Sequence, residues 1–140
     1  MDKNLFSVTA LLFFSLVSLS FAETCPSVQD IQESLHHGWR MYDSDDNTPL
    51  ASTRITQFVK GAKQFTLAEW PNAQAPKRTV HCYYRDNNGS QLEAYLAKDN
   101  FVPTNTNHYW YPVSGSMHCA AGADKCLFTS GWQGKQLAKK

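Results

Sequence analysis

At 140 residues, with 13 basic against 12 acidic side chains and a formal charge of +1, the chain carries no electrostatic footprint for nucleic acid and no polybasic patch for a membrane surface. Its charges are interspersed except at Asp43–Asp46 and at the Lys139-Lys140 end. With neither partner expected, compartment, crosslinks and exposed chemistry are what the residues can speak to.

Lys3 precedes an uncharged apolar run from Leu5 to Phe21, and Ser20-Phe21-Ala22 places small residues at the −3 and −1 positions before Glu23. That is the pattern of a cleavable secretory signal over residues 1–22. The run is 17 residues long and has no basic stop-transfer flank, so a spanning anchor is the weaker reading. Removing residues 1–22 from the 140 leaves 118, a single domain over 23–140 with 12 basic and 11 acidic groups and room for a core. The expected protein is periplasmic or secreted and not membrane-embedded after cleavage.

Four cysteines remain, Cys25, Cys82, Cys119 and Cys126. An even count in an exported domain implies two disulfides, with three connectivities open. Structural zinc is disfavoured, because the chain has no Cys pair at metal-ligand spacing.

In chain order, Cys25 to Leu35 reads as a short helix: Pro26 and Ser27 suit its start, and Val28, Ile31 and Leu35 form one apolar stripe before Gly38 ends it. Trp39–Tyr42 follows as a strand. Asp43-Ser44-Asp45-Asp46-Asn47 opens like a calcium loop, but Thr48 stands where that loop needs glycine and Arg54 where it needs a bidentate glutamate, so a solvated acidic turn is expected. Over 54–70 two periods compete. Ile55, Phe58, Val59, Ala62 and Phe65 fit a helix, whereas Phe65, Leu67 and Glu69 fit a strand, and the reading taken is an extended pair bent at Gly61. Pro71 to Pro76 reads as a loop.

Thr79 to Lys98 carries the strongest local signal, two alternating runs around Asp86-Asn87-Asn88-Gly89. A two-residue turn would mix polar and apolar residues on both faces. A three-residue loop over 87–89 pairs Asp86 with Ser90 and puts Tyr84/Leu92, Cys82/Ala94 and Val80/Leu96 on one face. Arg85/Gln91, Tyr83/Glu93 and His81/Tyr95 then occupy the other, and only this register segregates the faces. It places Cys82 on the apolar side, where the N-terminal helix must bury its stripe, so Cys25–Cys82 and Cys119–Cys126 are the expected bridges. Beyond Phe101, His108 to Val113 reads as an edge strand because Pro112 cannot donate to a ladder. Ser114-Gly115-Ser116 reads as a turn, Leu127–Thr129 as a last strand and the residues after 130 as a fraying basic tail.

No catalytic residue, cofactor or metal site is read from these motifs. Ser114-Gly115-Ser116-Met117-His118 lacks the spacing of a nucleophile elbow, and bridged cysteines leave no thiol. Glu69 and Glu93 have no spacing that links them. His36-His37 reads as the polar end of a helix, and Asn88-Gly89-Ser90 is explained by its turn as well as by a glycosylation sequon. The aromatics carry more information. His81, Tyr83, Arg85, Glu93 and Tyr95 share the polar hairpin face, with Tyr109-Trp110-Tyr111 as a second cluster, and aromatics with polar tips beside an arginine compose recognition surfaces.

Cys-Pro-Ser-Val-x-x-Ile at 25–31, Cys82-Tyr83-Tyr84 in mid-chain and the closing Cys119 with Cys126-Leu127-Phe128 resemble small exported proteins of gammaproteobacteria that belong to a domain-of-unknown-function family. The resemblance implies a periplasmic or secreted bacterial protein and supplies no activity or site. The fold class expected is α+β, a short N-terminal helix disulfide-stapled to a mostly antiparallel β-sheet of about four to six strands. The expected function is a non-enzymatic binding module for a protein or glycan partner. A small secreted hydrolase and a structural envelope-associated protein are the alternatives.

Overall fold

The computed structural model describes residues 22–71, 78–104 and 108–130. Residues 1–21, 72–77, 105–107 and 131–140, on which the expected signal peptide, most of the loop expected over 71–76 and the expected C-terminal tail fall, lie outside the described residues.

A 3₁₀ turn, Val28–Asp30, runs into a single α-helical turn, α1 (Ile31–Ser34). This is shorter than the helix expected over 25–35. Ile31 is fully buried, and Gly38 closes the segment at φ 89°, a conformation that only glycine adopts without strain. Strand β1 (Arg40–Asp43) leads into the acidic turn. There Asp43 Oδ1 accepts the Asp45 N–H at 2.8 Å and Asp46 Oδ1 accepts the Thr48 N–H at 3.0 Å, while Asp43 Oδ2 pairs with Arg54, so these carboxylates are engaged by the turn and its neighbour.

The segment after Leu50 corrects the expected extended pair. Helix α2 (Ser52–Gly61) precedes strand β2 (Gln64–Trp70). Ile55, Phe58, Val59 and Ala62 lie on one helical face against the core, and Gly61 ends the helix where a strand bend was expected. Both periods were present in the sequence; the sheet's need for an apolar cover decided in favour of the helix.

Strands β3 (Thr79–Arg85), β4 (Ala94–Asp99), β5 (Phe101–Pro103), β6 (Tyr111–Val113), β7 (Ser116–Cys119) and β8 (Phe128–Ser130) complete the chain. They form a mostly antiparallel architecture: a six-stranded sheet in the order β1-β4-β3-β2-β7-β6 and a two-stranded sheet β5-β8. Strand β6 is an edge, and its Pro112 blunts that edge. The tight turn from β6 to β7 uses Ser114 at φ 45° and Gly115 at φ 84°, the left-handed pair that a two-residue hairpin requires.

At the tip of the β3–β4 hairpin the register is the one that segregates the faces. Ser90 C=O accepts the Asp86 N–H at 2.9 Å, Arg85 bridges Gln91, and Tyr84 C=O accepts the Leu92 N–H at 3.0 Å. Below the tip the ladder slips by two residues. Cys82 faces Leu96, His81 faces Ala97 and Val80 faces Lys98, replacing the expected partners Ala94, Tyr95 and Leu96. Leu92 and Glu93 form the bulge that absorbs the slip, and Glu93 C=O accepts the Ser44 N–H at 3.2 Å. An even slip preserves which side each residue faces, so Val80, Cys82 and Tyr84 remain buried.

The core lies on one side of the large sheet. A row of paired residues, Met41, Leu96, Cys82, Ala68 and Cys119, crosses five strands there, each at most 3% exposed. Ile31, Phe58, Trp39 and Phe128 pack over it from α1, α2, the start of β1 and the small sheet. Cys25 is bonded to Cys82 and Cys119 to Cys126, the pairing that the hairpin register pointed to. Tyr84 Oη donates to Pro26 C=O at 2.6 Å beside the first of these bridges. Among the described residues no helix is long and apolar enough to cross a membrane.

Candidate functional site

Strand alternation gives the core row a counterpart on the opposite side. One residue along each strand from the buried row stand Arg40, Ala97, His81, Glu69, His118 and Tyr111, paired across all six strands. The helices and the small sheet bury their apolar side chains on the other side, so this outer face is left to polar and aromatic groups.

Glu69 is its centre. Tyr83 Oη donates to Oε1 at 3.1 Å, His118 Nε2 meets Oε2 at 3.0 Å, and His81 Nδ1 lies 3.6 Å from Oε1. The side chains of Glu69, His81 and His118 are 22%, 16% and 20% exposed, partly withdrawn from water yet reachable. Chiefly through His81, and against the opposing effect of burial, the carboxyl is held below its ordinary value, with Tyr83 and His118 adding to the shift. Burial first, then Glu69, raises the Tyr83 hydroxyl well above the usual tyrosine value. Glu69 is therefore an ionised acceptor surrounded by donors.

Beside it stands an aromatic stack. The rings of Tyr42 and Tyr95 lie 5.8 Å apart at 24°, and His81 and Tyr95 lie 4.2 Å apart at 25°. Tyr95 is only 4% exposed, and its hydroxyl donates to Asn47 Oδ1 at 2.8 Å. Expected as a contact anchor, it instead props its neighbours, because its two faces are occupied by other rings.

The remaining expected residues divide. Arg85 stays on this face and donates to Gln64 Oε1, from Nε at 2.9 Å and from Nη2. Glu93 has left the face with the bulge and lies near Arg54. Trp110 is 7% exposed with its Nε1–H on Leu127 C=O at 2.8 Å, and so belongs to the core. Tyr109 and Tyr111 flank it at 47% and 46% exposure. The Tyr111 ring meets His118 at 6.2 Å and 62°, joining the two aromatic groups that the sequence kept apart.

Glu69, His118 and Tyr42 were not among the expected site residues. A signal for one of them was present: His118, like His81, immediately precedes a bridged cysteine, so a strand that buries the cysteine turns the histidine to the opposite face. Among the described residues no group of three or more His, Cys, Asp or Glu side chains is placed to hold a metal ion. Concave pockets lie elsewhere, one of about 340 Å³ between α2 and the bulge and one of about 390 Å³ between α1 and α2. No family model, curated protein or solved structure matches the chain.

The Glu69 shift has a stability consequence. A carboxylate with a depressed folded-state value stabilises above its unfolded value of about 4.3, and that contribution disappears as pH falls through the lower folded value. From about pH 5 downward, the stability gap between wild type and Glu69→Gln should narrow as the carboxylate takes up its proton and close below about pH 4. Urea midpoints measured from pH 3 to 7 check this, and a gap that widens in acid contradicts it.

Proposed function

We propose that the chain is an exported, non-enzymatic binding module that engages a protein or glycan partner through the outer face of its large sheet. The observation that carries this reading is the row Tyr111–His118–Glu69–His81, polar-tipped and partly exposed, on the side away from the core. Two disulfides and the apolar stretch ending Ser20-Phe21-Ala22 support an oxidising compartment and cleavage after Ala22. In this reading the N-terminal helical turn, stapled through Cys25–Cys82, braces the sheet from behind, and the likeness to exported gammaproteobacterial proteins points to the same setting. A small hydrolase is the second reading, favoured by the Glu69–His118 contact at 3.0 Å, in which a carboxylate orients an imidazole. It lacks a pocket around that pair among the cavities described above.

The mature protein, immobilised and presented with a glycan array and with envelope and host extracts, tests the proposal. Tyr111→Ala and His118→Ala should weaken capture at least tenfold while shifting the melting temperature by only a few degrees. Unchanged capture by both variants would overturn the assignment of the outer face.

A further inference from the structure

Glu69 between two imidazoles gives the outer face two charge states. In its neutral form each ring directs one N–H toward the carboxylate, His118 through Nε2 at 3.0 Å and His81 through Nδ1 at 3.6 Å. The opposite nitrogens, Nδ1 of His118 and Nε2 of His81, make no hydrogen bond among the described residues. While the rings are neutral these nitrogens are lone-pair acceptors, and the trio carries a net charge of about −1 from Glu69. With both rings protonated the trio carries about +1, and the two remaining nitrogens become N–H donors.

The neighbouring groups leave that inversion uncompensated. From β1 and β4, Arg40 is paired with Asp99. Arg85 of β3 is engaged by Gln64 of β2. Tyr42, Tyr83, Tyr95 and Tyr111, from β1, β3, β4 and β6, place aromatic rings around the trio and add no carboxylate or ammonium. Asp43 and Arg54 neutralise each other beside Glu93, away from this face.

We propose that the His81–Glu69–His118 row is an acid-conditional site for the carboxylate of an acidic sugar. The exposed Tyr111 ring beside His118 offers a stacking surface to the sugar ring, and the imidazole N–H groups not bonded to Glu69 receive the carboxylate. This rests on the outer face being the contact surface.

Titration of the mature protein with trigalacturonate at pH 5.5 and 7.5, and with neutral galactotriose as control, tests it. Trigalacturonate should bind at least tenfold more tightly at pH 5.5, and galactotriose should show no such dependence. His81→Gln with His118→Gln should abolish the difference between the two pH values. Glu69→Gln should tighten trigalacturonate binding at both, because it removes the only negative charge of the trio, whereas loss of a merely structural residue would weaken it. Binding that is independent of pH, or no binding at pH 5.5, overturns the proposal. Binding that is independent of pH but lost in Tyr111→Ala overturns the charge inversion and leaves the contact face standing. If the double variant does not fold, the histidine Hε1 resonances of the wild type decide: trigalacturonate must shift those of His81 and His118 at pH 5.5, and their silence overturns the site.

Discussion

Replacing Cys25 and Cys82 together by alanine should lower the unfolding free energy by about 4 kcal/mol, against about 2.5 kcal/mol for the Cys119/Cys126 pair. The difference follows from loop length, since the first bridge spans 57 residues and the second 7. Cutting the longer loop returns more conformational freedom to the unfolded chain. All four cysteines are at most 1% exposed, so lost burial contributes similarly to both double variants and does not alter their order. For a domain whose total stability falls in the usual range of about 5–15 kcal/mol, the longer bridge is a large share. Equilibrium denaturation of the two double variants under non-reducing conditions checks the order. A costlier short bridge would mean that packing around Cys119 and Cys126 outweighs chain entropy.

Trp110→Ala should destabilise by about 3–5 kcal/mol, while Tyr111→Ala next to it should stay within about 0.5 kcal/mol. Trp110 is 7% exposed, and its indole N–H is the donor to Leu127 C=O, so truncation leaves a cavity and strands a carbonyl. Tyr111 is 46% exposed on a strand at the edge of the sheet, with an edge-on contact to His118. Thermal or urea unfolding of the two single variants resolves the difference easily. Equal effects would place both rings in the core and leave the outer face without its exposed aromatic.

The contrast between these two neighbours shows where the sequence is readable and where it is not. Alternation placed Val80, Cys82 and Tyr84 on the buried side, because one buried face constrains every second residue. Pro112 marked its strand as an edge through its missing N–H. Residues 54–62 carried both a helical and an extended pattern, and only the apolar surface they had to cover could choose between them. The site was half visible. His81 and Tyr83 were found because their strand was found, whereas Glu69 lay in an extended arm that was expected without a partner, and His118 lay just beyond the turn read at 114–116. Their meeting depends on β2 lying between β3 and β7, an order of strands that no local pattern encodes. Glu93 was lost to the face for a related reason, since nothing in an alternating run announces that two residues will be set aside.

Those two set-aside residues also determine which changes of length the hairpin can absorb. The tip from Arg85 to Gln91 closes on its own hydrogen bonds, and the ladder below it is separately paired. Removing Leu92 and Glu93 together would let the two halves run in one continuous register with every buried side chain still inward. Removing just one would turn Ala94 and Leu96 toward water or force the tip to rearrange. Insertions and deletions between 91 and 94 should therefore be tolerated in twos and rejected singly, leaving the spacing of His81, Glu69 and His118 untouched by variation in the loop above them.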